Sequence, residues 1–339
     1  MAGQQQQGGG KEGHEYLILK KFKGVNTQPS REAIGQDEFS WLENYMPIGD
    51  AFIQAVPAPG TATATVTSAI SLMHPATIGT VNYQICFTAA GGAQAVNLSN
   101  GNVVTITAAG TFQGTPAMDQ WKSERIVMCD TASFYSWDGN LFYQSGSLAT
   151  ISVVVTGSGF TSTPAVVVTG GTSGTTASAT CTLNSDGIGV VNLVTVGSGY
   201  TTAPAITFSG GGGSAATATA FIMPTGLNGT DVCVYSGRVW VANGRLISYT
   251  APGTWYDVNP TDAAGNTTIT EGLLRQAIYG LEALDNYLYI FADSSVIVIG
   301  DLKVTNSITT YSQTFLSSTT GSTLPATITA MERAVSCPD

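Results

Sequence analysis

Short apolar runs separated by turn residues recur along most of the chain beyond Gly60. Runs of this length, bounded by turn-forming residues, are typical of β-strands and are too short for most helices. The dipeptides Asn100-Gly101 and Asp138-Gly139 join successive runs and supply the positive φ angles that two-residue hairpins need. The predicted strands occupy residues 69–73, 81–88, 94–98, 103–107, 125–129, 133–137, 140–143, 231–235, 239–242, 245–249, 278–284, 287–292 and 296–300.

The alternation of strand and hairpin, with aromatic residues near the turns, predicts an all-β fold built from blades of a β-propeller. A β-sandwich, which would show fewer and longer strands, is the alternative fold. We expect about four blade-like units, and residues 324–330 begin another. The ring of blades is therefore expected to be incomplete in this chain, although natural β proteins avoid the unpaired edge that an open ring exposes.

A duplicated phrase lies in the middle of the chain. Residues 157–166 and 197–206 share the pattern Gly-Ser-Gly-aromatic-Thr-x-x-Pro-Ala, with Phe160 in the first copy and Tyr200 in the second. Each copy lies between two apolar runs, and each second run leads into a glycine patch. A fixed period of this kind marks a repeated structural unit, which here consists of strands and tight turns.

We therefore predict a small duplicated β module at residues 150–221, inserted between two sets of blades. The first set occupies residues 61–149 and the second residues 222–339. We expect the module to project outward as an interaction module, with Phe160 and Tyr200 as its candidate contact residues.

The N-terminal region differs from the rest of the chain. Residues 1–15 are rich in Gln and Gly and are predicted to form a disordered tail. Residues 16–60 are expected to contain a short strand at 16–22 and a short helix at 31–45 that Pro47 ends. The helix prediction depends on the spacing of Ile34, Phe39, Leu42 and Tyr45.

Charge is scarce, and its balance is acidic. Charged residues make up 10% of the chain, against about 25% in ordinary soluble proteins, which suits a protein whose surface is covered by neighbours. The net charge is −10, and the one compact basic group is Lys20, Lys21 and Lys23. This balance argues against a tight grip on nucleic acid, but it suits a passage along which double-stranded DNA slides without sequence-specific binding.

The cysteines and the hydropathy indicate a protein that folds in a reducing cytoplasm. Five widely spaced cysteines show no metal-binding spacing, and we expect buried free thiols. They are Cys86, Cys129, Cys181, Cys233 and Cys337. We identify no signal peptide and no apolar stretch long enough to span a membrane.

Several segments resemble the tail nozzle proteins of short-tailed bacteriophages, also described as tail-hub or packaged-DNA-stabilising propellers. At the N-terminal end these are Phe-Lys-Gly-Val-Asn at 22–26, Trp-Leu-Glu-Asn-Tyr-Met-Pro-Ile-Gly-Asp-Ala-Phe at 41–52 and Pro-Ala-Pro-Gly at 57–60. Residues 235–242 and 288–300 resemble blade segments of the same family. The duplicated Gly-Ser-Gly phrases are similar to modules of phage virion proteins.

This resemblance implies a structural virion protein, assembled in the host bacterial cytoplasm and located in the phage tail. It implies a six-fold ring, a homohexamer, at the distal end of a short tail. The ring would dock on the adaptor ring of the head-to-tail connector, with tail fibres or tailspikes as further partners. As the DNA exit channel, it would retain the packaged genome and take part in its ejection.

The sequence predicts no catalytic, cofactor-binding or metal-binding residues, and we expect no enzymatic activity. His14 and His74 lie in the N-terminal tail and before a proline, outside any catalytic pattern. Residues 253–257 are similar to the Asp-box of sialidase propellers but lack its Asp, and we interpret them as a turn held by Trp255. Residues 184–187 fit a hairpin turn better than a calcium loop, because no downstream Glu completes the loop.

Two other functions remain as alternatives. The first is a receptor-binding or carbohydrate-binding adhesin that uses the duplicated module as its binding head. The second, less favoured, is a propeller glycosidase.

Overall fold

The computed structural model describes residues 24–25, 38–39, 45–48, 52–55, 64–171, 174–270, 274, 276–324, 328–331 and 334–336. The chain divides into two compact units, Met1–Thr63 and Ala64–Asp339.

The first unit contains two small strand pairs among its described residues. β1 (Gly24–Val25) pairs in parallel with β2 (Glu38–Phe39), and β3 (Tyr45–Ile48) pairs antiparallel with β4 (Phe52–Ala55). The predicted helix is wrong at its described positions, because Phe39 and Tyr45 lie in strands. Pairing of Phe39 with β1 and of Tyr45 with β4 outweighs the approximate helical spacing of a few apolar residues. The predicted tail and the strand at 16–22 lie outside the described residues.

The second unit begins with two four-stranded antiparallel sheets, each a simple meander. Sheet 1 consists of β5 (Ile70–Ile78), β6 (Val81–Thr88), β7 (Ala93–Asn97) and β8 (Val103–Thr107). Sheet 2 consists of β9 (Ala117–Trp121), β10 (Arg125–Cys129), β11 (Phe134–Trp137) and β12 (Phe142–Gln144).

The duplicated module follows sheet 2 along the chain. Its strands are β13 (Leu148–Val155), β14 (Ala165–Thr169), β15 (Ser178–Asn184), β16 (Gly187–Thr195), β17 (Ala205–Ser209) and β18 (Thr217–Ile222). Four strands form one sheet in the order β13-β18-β17-β14, and β15 and β16 form a hairpin. The hairpin contacts that sheet through β14 and β13, and the two layers enclose a separate apolar core.

Two more meander sheets and a final hairpin complete the described part of the chain. Sheet 3 consists of β19 (Asp231–Tyr235), β20 (Arg238–Asn243), β21 (Leu246–Tyr249) and β22 (Gly265–Thr268). Sheet 4 consists of β23 (Ile278–Leu284), β24 (Tyr287–Ala292), β25 (Val296–Thr305) and β26 (Ile308–Ser317). A 3-10 turn at Pro260–Asp262 precedes β22, and β27 (Thr329–Met331) pairs with β28 (Ala334–Ser336).

Consecutive sheets share their hydrophobic cores. In β10, Ile126 and Met128 pack in the core between sheets 1 and 2, whereas Val127 and Cys129 pack in the core between sheets 2 and 3. Strands β19 and β20 divide their residues in the same way between sheet 2 and sheet 4. Because successive side chains of a strand point to opposite faces, one strand can serve two cores. Strands β10, β19 and β20 are therefore apolar on both faces along most of their length.

The all-β prediction is confirmed, and most predicted strands are observed. Asn100-Gly101 and Asp138-Gly139 lie in hairpin connections, as predicted, with φ of +73° at Gly101 and +94° at Gly139. The connections are longer than the two-residue turns that were predicted, because they span residues 98–102 and 138–141. Within the four meander sheets, strands β9, β22 and β26 were not among the predicted strands. Polar residues interrupt the apolar runs of β9 and β26, and β22 (Gly-Asn-Thr-Thr) has no apolar run from which it could be predicted.

In the module, the glycine patch that follows each copy forms hydrogen bonds with the other copy. The carbonyl of Gly211, after the second copy, accepts a hydrogen bond from the Thr161 amide of the first copy at 2.8 Å. Symmetrically, the carbonyl of Gly171 accepts from the Thr201 amide of the second copy at 3.0 Å. Each glycine patch therefore packs against the turn of the other copy, which explains why the duplicated sequence forms one domain rather than two.

We expect Gly211→Ala to destabilise the module more than Gly210→Ala does. Both residues have positive φ, so both substitutions carry the same backbone strain. A Cβ at Gly211 would lie 2.5 Å from the Ser162 carbonyl oxygen, whereas a Cβ at Gly210 meets nothing within 4 Å. The additional loss should be about 1–3 kcal/mol, measured as a lower Tm in calorimetry. Equal Tm values for the two variants would show that the patches are not in close contact.

Candidate functional site

The first strand of each meander sheet lies at the sheet edge and packs against the first strand of the next sheet. Strand β5 contacts β9, β9 contacts β19, and β19 contacts β23. An edge strand carries backbone N–H and C=O groups that its own sheet does not pair, and burial without a partner is costly. The contacts between sheets must therefore supply partners for these groups.

Two aspartates supply those partners. Asp119 on β9 accepts a hydrogen bond through Oδ2 from the amide of Val234 on β19, at 2.6 Å. Asp231 on β19 accepts through Oδ2 from the amide of Leu281 on β23, also at 2.6 Å. The same device thus links sheet 2 to sheet 3 and sheet 3 to sheet 4. Each aspartate oxygen thus gives the next first strand an acceptor for an amide that faces away from its own sheet.

A glutamine makes the corresponding link between sheets 1 and 2. The amide of Thr77 on β5 donates to Oε1 of Gln120 on β9 at 2.9 Å. In return, Nε2 of Gln120 donates to the Thr77 carbonyl. One primary amide therefore satisfies both backbone groups of an edge residue. We call the contacts made by Gln120, Asp119 and Asp231 the edge-strand links.

The surroundings of the two aspartates oppose ionisation. Desolvation raises the pKa of Asp231 from 3.8 to about 7, against the stabilising amides of Leu281 and Val232. The nearby charges of Asp119 and Glu282 raise the pKa further. Desolvation also raises the pKa of Asp119, although the amides of Val234 and Gln120 lower it. The links therefore contain a carboxyl group that titrates near neutral pH.

A buried arginine provides a further connection between sheets 3 and 4. Arg238 is 2% exposed, and its Nη1 donates to the carbonyls of Thr250 and Ala263, both at 2.7 Å. Its Nη2 donates to Oγ1 of Thr309 on β26 at 2.8 Å. Burial lowers the pKa of this guanidinium, while the ring of Tyr249 lies beneath it. The arrangement attaches the long β25–β26 hairpin to the loop before β22.

The predicted contact residues of the module lie inside it. Phe160 is 5% exposed and Tyr200 is 1% exposed, and both belong to the core of the module. The Tyr200 hydroxyl accepts a hydrogen bond from the Ala177 amide at 2.8 Å. The assignment of these two rings as outward contact residues is therefore wrong, because each ring holds its own turn against the core. That the module projects outward and serves interactions stays a prediction.

A cleft of about 430 Å³ opens where the module meets sheets 2 and 3. Sheet 2 contributes Arg125, Asp138 and Tyr143, the module contributes residues 149–151 and 191–193, and the loop after β21 contributes residues 253–256. The walls combine cationic, anionic, amide and aromatic side chains.

The sequence of the loop after β21 determines how it forms one wall of the cleft. The Gly253 amide donates to the Gly237 carbonyl at 2.7 Å, and Oγ1 of Thr250 donates to the Thr254 carbonyl at 2.7 Å. These bonds place Trp255, which is 6% exposed, against Tyr143 with ring centroids 5.4 Å apart. The segment is therefore a turn held by Trp255, as predicted.

The guanidinium of Arg125 lies between aromatic rings at this wall. Its Cζ is 3.9 Å from the Trp255 ring centroid and 5.1 Å from that of Tyr143. Next to it, Oδ2 of Asp138 accepts from the Tyr143 hydroxyl at 2.7 Å, and Oδ1 accepts from two amides of its own turn. Burial, and then the Asp138 charge, raise the pKa of Tyr143.

The other residues singled out from the sequence have structural positions. Residues 184–187 form the turn between β15 and β16, as predicted, and Asp186 accepts from the Gly159 amide at 3.1 Å. His74 lies on β5 with Nδ1 2.9 Å from the Pro75 carbonyl oxygen. The four described cysteines are free and buried. His14, Lys20, Lys21, Lys23 and Cys337 lie outside the described residues.

Sequence reasoning missed Asp119, Gln120, Arg125 and Asp231 as functional residues. The sequence does place polar or charged residues at the start or centre of otherwise apolar strand segments, as at 117–121 and 231–235. That pattern could have indicated these residues. In the part of the chain that the structure describes, no group of three or more His, Cys, Asp or Glu side chains is placed to hold a metal ion.

No protein-family model matches the chain, and no curated protein matches it. Among the described residues, no helix has the length and apolar character needed to cross a membrane.

We expect Asp231→Asn to change the pH dependence of stability. Because folding raises the pKa of Asp231 from 3.8 to about 7, the folded state holds this proton more tightly than the unfolded chain. The protonated Asp231 therefore contributes fully to the free energy of unfolding below pH 3.8, the usual pKa of the group. This contribution is lost as the pH rises through about 7, the pKa in the folded state. Between about pH 5 and about pH 8, the wild type should lose on the order of a few kcal/mol relative to the variant.

Calorimetric Tm values at a series of pH values measure this difference. Asp186→Asn, at the exposed tip of the module, is the control and should follow the wild type. Parallel pH profiles for the wild type and Asp231→Asn would contradict the raised pKa.

Proposed function

We propose that this chain is a structural subunit of the tail nozzle of a short-tailed bacteriophage. In this proposal the four meander sheets are propeller blades, with first strands β5, β9, β19 and β23 innermost. The observation that carries the proposal is the series of edge-strand links, which join each first strand to the next. Successive sheets linked at one edge and packed face to face can fan around an axis.

Such a wall suits a channel for DNA. The links are made by side chains bonded to backbone, so a load on one sheet is shared with its neighbours. The chain has 22 acidic and 12 basic residues, so its average field repels phosphate rather than binding it. Double-stranded DNA would then pass without sequence-specific contacts. The subunit would form a homohexameric ring that docks on the adaptor ring, retains the packaged genome and takes part in its ejection.

The module would be an addition at the outside of the ring, directed toward fibres, tailspikes or the host surface. The chain enters and leaves it at one place, since Leu148 pairs with Ile222 and the Met223 amide donates to the Ser147 carbonyl at 2.8 Å. An insertion whose two ends are adjacent leaves the surrounding fold continuous.

A carbohydrate-binding adhesin is the second candidate function, and the outer face of the module favours it. The four-stranded sheet presents exposed hydroxyl side chains in neighbouring strands, including Ser152, Thr207 and Thr219. Hydroxyl groups both donate and accept hydrogen bonds, as sugar hydroxyls do. In this case glycan binding by the full chain would be lost when the module is removed.

We expect the purified protein to form a closed six-fold ring, and to do so also when residues 150–221 are replaced by Asn-Gly. The dipeptide suits a two-residue hairpin between the adjacent ends of the module. Mass photometry and negative-stain imaging measure ring size for both proteins. A monomer or trimer from the wild type would contradict the nozzle function. A ring from the wild type but not from the deletion variant would contradict the peripheral position of the module.

A further inference from the structure

The cleft between the module and sheets 2 and 3 has the features of a ligand site. We propose that it binds a neutral saccharide. The proposal does not depend on ring formation, and it differs from the adhesin alternative because the site lies at the base of the module. The volume of about 430 Å³ is within the range of small-molecule sites.

Polar side chains converge on the cleft without using their hydrogen-bonding capacity inside the protein. Among the described residues, the side chains of Asn140, Asn192 and Tyr256 line the cleft and form no hydrogen bond with protein. Asn140 comes from the turn of sheet 2, Asn192 from β16 of the module and Tyr256 from the loop after β21. Donors and acceptors therefore approach from three separate segments, as a site for a polyhydroxylated ligand requires.

The cationic group of the cleft is fixed in place before any ligand arrives. Arg125 stacks on Trp255, and its Nε and Nη1 atoms are buried without a hydrogen-bond partner in the described structure. No carboxylate of the described residues lies within salt-bridge distance of it. Arg125 is half-buried, and its stacking on Trp255 fixes this part of the cleft wall before a ligand binds.

The charges of the cleft favour a neutral ligand. Asp138 and Glu124 line the same walls as Arg125, so an acidic ligand attracted by the guanidinium would be repelled by two carboxylates. A phosphate ligand meets the same opposition, and phosphate sites usually combine several cations or backbone amides. Mixed donors and acceptors without an excess of either charge match the hydroxyl and acetamido groups of neutral sugars.

The module is a necessary part of this site. Residues 149–151 and 191–193 of the module form one wall of the cleft, and sheet 2 contributes to another. Asn192 lines the cleft because the module is inserted at this place in the chain. The insertion thus creates a cleft that the meander sheets alone would not enclose.

The test is an array of immobilised neutral hexose and N-acetylhexosamine oligosaccharides, with uronate- and sialate-bearing glycans as the acidic set. The full chain should bind neutral members. Calorimetric titration with the best neutral oligosaccharide should then give a Kd about five- to tenfold weaker for Asn192→Ala, the loss expected when a neutral hydrogen-bonding side chain is removed.

Asn184→Ala is the matched control, since Asn184 is an exposed asparagine of the same hairpin but does not line the cleft. It should bind like the wild type. Tyr256→Phe removes one hydroxyl and should also weaken binding, which keeps the test valid if Asn192→Ala lowers stability. Binding of no glycan, binding of acidic glycans only, or equal Kd values for both cleft variants and the wild type would overturn the proposal. Mass photometry of the same samples separates this result from the test of ring formation.

Discussion

The backbone of an edge strand must find partners outside its own sheet, and this requirement governs how the sheets of this protein meet. Asp119 and Asp231 each accept the outward-facing amide of the next first strand, and Gln120 pairs with Thr77 in the preceding one. These bonds bring neighbouring sheets close enough for shared cores to form. Apolar residues such as Trp240 and Trp137 then supply most of the stabilisation by burial.

The same requirement explains which parts of the fold could be predicted from the sequence. Strands β10 and β24 are mostly apolar because side chains on both of their faces are buried, and the bounds of both strands agree with the predictions. Strand β9 was missed because Asp119 and Gln120 stand at its centre. In a first strand these polar residues are structural, but their role depends on a partner strand far away in the sequence.

The module shows the opposite error. The repeated phrase correctly predicted a duplicated β unit, but the aromatic residue within it was assigned to the surface. Phe160 and Tyr200 instead fill the core beneath their own turns. Gly211 and Gly213 of the other copy leave room for the Phe160 ring, and Gly197 of the same copy leaves room for the Tyr200 ring. The cleft could not be predicted at all, since its walls come from three segments that only the folded chain brings together.

Residue-resolved amide hydrogen exchange tests most directly whether the aspartate side chains of first strands hold consecutive sheets together. In Asp119→Ala the Val234 amide should lose protection while that of Leu281 keeps it, and in Asp231→Ala the reverse should hold. Asp186→Ala should leave both amides protected. Unchanged exchange at Val234 and Leu281 in their respective variants would contradict the account, because these amides would then have other partners.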